Sequence, residues 1–276
     1  MAMLRFGYIT NGLRDHTLDA AFALLADLGY QGVGITLDVG HLDPRTAGPA
    51  EVQAVRASLS RHGLEAVVET GARYILDPVR KHQPTLLSAR AEGRKARLDL
   101  LLRAVEIAAA LDAKVVSFWS GAKDPGVGED ATWAHLLEAL GAVCEAARSH
   151  GVTTGFEPEP GMFVEGVADV RELLARGAPE DLRLTLDLGH LQCTEEPPLD
   201  RWVRELGPLI VNVHVDDGRD RVHEHLPLGD GEIDFPPLLR ELESMGYAGL
   251  CLVELARHSH AAPELARRSI EFLRAC

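Results

Sequence analysis

Eight times along this chain a short apolar run is followed by a helical pattern, and no other feature limits its fold as tightly. The runs are Leu4–Thr10, Gly32–Leu37, Leu64–Glu69, Lys114–Trp119, Val152–Glu157, Leu182–Leu186, Leu209–His214 and Gly249–Glu254. The helical stretches after them are Thr17–Leu28, Ala50–His62, Ala91–Leu111, Ala131–His150, Val167–Ala175, Leu199–Leu206, Phe235–Met245 and Pro263–Ala275. The runs are continuous and do not alternate apolar with polar, which is how strands buried on both faces read. A strand–helix–strand repeat implies parallel pairing, and eight such units close into a barrel. The expected fold is α/β: a single (β/α)8 TIM barrel over residues 1–276, one domain with no linker.

Punctuation supports the count. Leu28-Gly29-Tyr30, His62-Gly63-Leu64, His150-Gly151-Val152 and Met245-Gly246-Tyr247 each place a glycine stop between a helix and the next strand. Asp38–Gly48 and Gly71–Ala89 fit neither pattern. Both fall after a strand, on the face where such barrels keep their chemistry.

Acidic side chains number 42 against 28 basic ones, for a net charge of −14. That balance argues against a nucleic-acid or anionic-membrane binder, because phosphates select clustered Lys and Arg. Cys144, Cys193, Cys251 and Cys276 are widely spaced, so neither a disulfide framework nor a thiolate zinc knuckle is expected. With no apolar run of membrane-spanning length and no signal-peptide pattern, the expected compartment is the cytoplasm. The sequence leaves the oligomeric state open, a homo-oligomer included.

The residues that end the strands carry the chemistry. The third run ends in Glu69 and the fourth in Phe118-Trp119. The fifth ends in Glu157, and the sixth leads into Asp187 with His190 three residues on. The seventh ends in His214, followed by Asp216 and Asp217, and the eighth ends in Glu254. In a closed barrel these ends meet at one rim, so Glu157, Asp187, His214 and Glu254 converge from four consecutive strands. Three carboxylates that close repel one another unless a cation sits among them. Three oxygens and one imidazole suit one divalent ion, Mn, Mg, Co or Zn. Glu159 is a rival ligand, but Glu157 ends the apolar run directly, and Pro158 and Pro160 carry the chain away. Glu69 has two readings, a local ion-pair partner for Thr70–Arg73 or a substrate contact.

A polar cluster, Arg219 to Asp234, lies after the seventh strand and reads as a rim loop. His225 and Arg219 there suit an anionic or polyhydroxylated substrate. The Gly229-Asp230-Gly231 turn is too short to cradle a phosphate.

Together Glu157, Asp187-Leu188-Gly189-His190, His214-Val215-Asp216, Leu228–Asp234 and Val253-Glu254 resemble the sugar phosphate isomerase/epimerase family, the xylose-isomerase-like group of TIM barrels. The resemblance spans nearly the whole chain. It implies that Glu157, Asp187, His214 and Glu254 are the metal ligands, that Glu157 and Glu254 are the paired acid/base carboxylates, and that His190 contacts a substrate oxygen. His225 departs from the pattern, standing where the group's epimerases often place an arginine. His223 and His225 are similar to a zinc-binding D-x-H of the group's DNA-repair branch, with His at the first position. That branch also needs histidines where this chain has Glu69 and Trp119-Ser120, and its role does not suit a charge of −14.

Such a site suits proton movement next to a carbonyl of a carbohydrate-like small molecule, through an enediolate that the metal stabilises. One carboxylate removes the carbon-bound proton and the other returns it. Return to the opposite face is epimerisation, return to the neighbouring carbon is isomerisation, and loss of a β-hydroxyl is dehydration. The sequence leaves these three open. A binding barrel that senses a metabolite is the rival class. Trp119, Phe118 and Tyr74 are candidates for an apolar wall that excludes water.

Overall fold

The computed structural model describes residues 3–276. Its strands are β1 (Arg5–Ile9), β2 (Gly32–Thr36), β3 (Glu65–Glu69), β4 (Val115–Trp119), β5 (Thr153–Glu157), β6 (Arg183–Asp187), β7 (Ile210–Val215), β8 (Asp217–Arg219), β9 (Val222–Leu226) and β10 (Leu250–Val253). The helices are α1 (Leu18–Leu28), α2 (Pro49–His62), α3 (Ala91–Leu111), α4 (Glu129–His150), α5 (Val167–Ala175), α6 (Leu188–Thr194), α7 (Asp200–Leu206), α8 (Phe235–Ser244) and α9 (Ala262–Ala275). Eight strands close a parallel barrel in the order β1-β10-β7-β6-β5-β4-β3-β2. The expected (β/α)8 fold is what forms, and each of the eight expected runs supplies one barrel strand.

Local chemistry sets the element ends. Thr17 caps α1, its hydroxyl accepting from the Ala20 N–H at 3.3 Å. Gly29, Gly63 and Gly151 take left-handed conformations, with φ of 82°, 67° and 68°, where the chain turns from helix to strand.

Strand alternation sorts the buried side chains into two bodies. Outward-facing Tyr8, Ile35, Val68, Phe118, Phe156, Leu186, Val213 and Val253 join the helices in the main core. Inward-facing Ile9, Val67, Val115, Leu250 and Leu252 form a small apolar plug inside the barrel. Above the plug lies a polar layer: Thr185 donates to Ser117 Oγ at 2.9 Å, and Asn212 Nδ2 to Thr185 at 3.4 Å. The next inward positions are the charged strand ends. The interior thus runs from dry to charged along the barrel axis.

Two elements were not expected. The stretch read as a loop after the seventh strand begins with an antiparallel hairpin, β8 with β9, turning at Asp220 and Arg221, whose φ of 54° and 57° suit a tight two-residue turn. Directly after β6 comes α6, whose first turn is capped by Asp187.

Candidate active site at the rim of the barrel

Glu69, Glu157, Asp187, His214 and Glu254 all occupy inward positions within one residue of a strand's end, so alternation aims them into the same space. His214 is the hub. Its Nδ1 lies 3.1 Å from Glu157 Oε1, 3.1 Å from Glu254 Oε2 and 3.9 Å from Asp187 Oδ2. Its Nε2 lies 3.1 Å from Glu69 Oε1 on the far side of the ring, and Asn212 Nδ2 donates to the same carboxylate oxygen at 3.1 Å. Glu254 Oε1 accepts from Asn11 Nδ2 at 2.8 Å. Glu69, Glu157, His214 and Glu254 form the floor of an open cavity of about 890 Å³, and Asp187 is buried outside its lining.

Crowding separates the acidities. Burial raises the Glu157 carboxyl, and the nearby His214 offsets this only in part. Burial also acts to raise Glu254, but its hydrogen bond to His214 and the charges of His225 and His214 outweigh that and hold it well below the usual range. Burial and then Asp216 push Asp187 well up. Burial opposes charge on His214, yet Glu69 and Glu157 win and raise it well above an ordinary imidazole.

The four strand-end residues fit a divalent cation on the structure's own terms. Glu157, Asp187, His214 and Glu254 each offer one ligand atom, all within 4.8 Å of one another. Asp187 Oδ1 is spent on the His190 N–H at 2.8 Å, whereas Oδ2 is buried without a hydrogen-bond partner and faces His214 Nδ1. A buried carboxylate oxygen left unsatisfied is costly, and a cation among these atoms would satisfy it.

A second cluster sits beside the first. The Nε2 atoms of His190 and His223 are 3.1 Å apart, and those of His223 and His225 2.8 Å apart. His190 Nδ1 donates to the Pro158 carbonyl at 3.1 Å. His225 Nδ1 pairs with the buried Asp216 carboxylate, which overcomes burial and pushes the imidazole up to about 10. Burial and then the charge of His225 push His223 down to about 4. Gly189 makes room for this pair, because a Cβ there would sit 2.1 Å from Asp216 Oδ1.

Several expectations are corrected. Glu69 is no local ion-pair partner of Thr70–Arg73; it meets His214 and Asn212 across the barrel. Arg219 is exposed, outside the cavity lining, because it stands at the turn end of the hairpin. His225 belongs to strand β9, not a loop, and is 9% exposed. Alternation along β9 places it with His223 on the cavity side. Of the three wall candidates only Trp119 lines the cavity. Phe118 points outward against Phe156, with ring centroids 5.7 Å apart, and Tyr74 is 52% exposed. The Gly229–Gly231 turn wraps a carboxylate of the chain itself: Asp217 accepts from the N–H groups of Gly229 and Gly231, each at 2.9 Å.

Sequence reasoning also left Arg97 out. Arg97 of α3 donates to the carbonyls of Pro84 and His82 at 2.9 and 2.8 Å and stacks on Trp119, pinning the long loop after β3. A buried arginine on a helix gives no sequence signal of its target. Glu159, the rival ligand of the sequence, lines the cavity too, and burial, then Glu157 and Glu254, push it up to about 8.

Comparison with known proteins follows the same lines. The profile of the xylose isomerase-like TIM barrel family matches residues 22–276. Fructoselysine 3-epimerase of Escherichia coli O157:H7 is 23% identical, covering 99% of this chain and 98% of that protein. Inosose dehydratase of Lacticaseibacillus casei is 29% identical over 142 residues, 45% of this chain and 47% of its own. The crystal structure of 3-keto-D-glucoside 4-epimerase from E. coli superposes with a TM-score of 0.80 at 17% identity, covering 99% of this chain and 100% of that one.

Proposed function

The chain belongs to the xylose isomerase-like TIM barrel family, and from that premise we propose that it is a keto-sugar epimerase or isomerase that moves a proton at the carbon next to a carbonyl. One observation carries the reading: Glu157 and Glu254 approach a single atom, His214 Nδ1, at 3.1 Å each, on the floor of an open cavity. They come from β5 and β10, three strands apart around the ring. Two carboxyls so placed can serve opposite faces of one bound sugar.

Glu157, Asp187, His214 and Glu254 would hold one divalent cation, Mn, Mg, Co or Zn. Bound there, it supplies Lewis-acid polarisation of a carbonyl and the neighbouring hydroxyl. Glu254 takes the carbon-bound proton, and Glu157, from the other side, delivers one. His190 and His225 would each turn Nε2 from His223 to a substrate hydroxyl, and Trp119 excludes water on one side. The names of the similar proteins support this reading, since two of the three are sugar epimerases.

The same reading treats residues 1–276 as one domain acting on a small carbohydrate in the cytoplasm. The four cysteines are unpaired, and no helix among the described residues is long and apolar enough to cross a membrane.

Turnover of a ketose panel in D2O tests the proposal. Deuterium entering the carbon beside the carbonyl, with an epimeric or isomeric product that depends on added divalent ion, is the expected result. No label and no product across the panel with any of the four ions would make this a binding barrel. A second reading, dehydration, draws on Glu159: raised to about 8, it holds a proton at neutral pH that a leaving hydroxyl can take. Loss of water from an inosose without epimerisation would favour it.

A further inference from the structure

The cavity is charged unevenly. Its floor holds the carboxylates and His214, while its lining also includes Arg14, Arg73, Lys81 and Arg257, in a chain of net charge −14. Arg14 follows β1, Arg73 and Lys81 follow β3, and Arg257 follows β10, so three separate loops bring cations to one opening. Other arginines on nearby loops are neutralised locally: Arg45 pairs with Asp43 at 2.6 Å and Arg80 with Asp77 at 2.7 Å. None of the four cavity cations forms an ion pair among the described residues. Asp15 and Asp38 share the lining without pairing with them, and Asp38 is engaged by the Val39 N–H at 2.7 Å.

Two of the guanidiniums are held in place without being neutralised. Arg73 Nη2 donates to the Ala256 carbonyl at 3.2 Å, and Arg257 Nη2 to the His223 carbonyl at 3.0 Å. The cations also oppose one another. Burial and then Arg14 lower Arg73, and burial and then Arg73 lower Lys81. Glu254 and Asp38 act on Arg73, and Glu159 on Lys81, in the opposite sense, but none of them forms an ion pair with these cations. Fixed, mutually repelling guanidiniums with spare donors are what an anion with several oxygens requires.

We infer that these four side chains form an anion subsite, and that the substrate is a keto-sugar bearing a phosphate or carboxylate at the end away from its carbonyl. The inference rests on the keto-sugar reading of the cavity floor. Phosphate and carboxylate share the bidentate chemistry that arginine recognises.

The test offers D-fructose, D-fructose 6-phosphate and D-fructuronate, a ketose with a carboxylate at the same end, to the metal-loaded protein and to its Arg73→Gln and Arg257→Gln variants. Calorimetry reads binding, and deuterium incorporation reads proton transfer. At least one anionic sugar should bind about 10- to 100-fold tighter than D-fructose, the worth of one hydrogen bond to a charged group. That advantage should shrink about 10-fold in each variant and fall as salt rises. The anion with the larger advantage identifies the natural group. Equal binding of the three sugars, absence of binding included, overturns the inference, as does an advantage that survives both variants. Tight anion binding with no deuterium uptake keeps the subsite and removes the proton-transfer reading. Equal uptake into all three sugars, bound equally, does the reverse. Arg257 is exposed, so its variant reports on binding even if Arg73→Gln folds poorly.

Discussion

Glu69 Oε1 lies 3.1 Å from His214 Nε2, an approach that crosses the barrel between strands on opposite sides of the ring, β3 and β7. It fixes the imidazole so that Nδ1 points at Glu157, Asp187 and Glu254. Partners of this kind are typically worth 10- to 100-fold in metal affinity. Glu69→Ala should therefore weaken Mn²⁺ binding by roughly that factor, and Glu69→Gln, whose amide oxygen still accepts, by less. Competition with a chelator measures it. Unchanged affinity in both variants would make Glu69 a bystander.

Metal uptake should release a proton. Carboxylates raise His214 well above an ordinary imidazole, so it is protonated at neutral pH when no ion is bound. A ligand nitrogen must lose that proton. The sign follows for stability as well. The metal-free protein gains from charged His214 fully below the unfolded value near ~6.5, and loses that gain as pH rises through the raised folded value. Affinity should climb with pH, and calorimetry in two buffers of different ionisation enthalpy should show at least one proton released per ion near pH 7, because the raised Asp187 and Glu157 carboxyls must also be ionised to bind. Zero release would contradict His214 as the ligand.

Glu254→Gln should keep much of the metal site, because an amide oxygen still coordinates, yet lower kcat by about 10²–10⁴-fold through loss of the base. His225→Ala should raise KM more than it lowers kcat. It also strands Asp216 as a buried unpaired charge, so it should lower Tm as well, by an amount on the order of 3–5 kcal/mol of stability. Metal content, kinetics and thermal melts on the two variants separate these effects. If His225→Ala removed an equivalent of bound metal, His190, His223 and His225 would have to be read as ligands.

Asp217 tests a purely structural claim. Its carboxylate accepts from the N–H groups of Gly218, Gly229, Gly231 and Ile233 at 2.9, 2.9, 2.9 and 3.2 Å. Asp217→Ala leaves these donors without their acceptor and should cost more than ~3 kcal/mol in urea unfolding, with metal stoichiometry intact. Gly231→Ala should act in the same direction, because its Cβ would meet Asp217 Oδ1 at 2.2 Å. A loss under ~1 kcal/mol in both would refute the role.

The barrel was legible because its signals are local. Each apolar run, each glycine stop such as Gly29 or Gly151, and each polar residue ending a run reflects neighbours along the chain. Glu157, Asp187, His214 and Glu254 stood out for that reason, and closure of the ring brings their ligand atoms within 4.8 Å. The partners of those residues were hidden. Nothing adjacent to Glu69 names His214, 145 residues away, and nothing adjacent to Arg97 names Trp119. The stretch from Arg219 to Leu226 has only Val222 and Leu226 as apolar residues, too few for a run, so it reads as a loop. The hairpin register then turned His223 and His225 to the cavity and left Arg219 exposed at the turn. Composition assigns chemistry to a residue; which face of a strand it occupies, and what lies across the barrel, is decided only when hydrogen-bond register and ring closure fix distances between segments that the chain keeps apart.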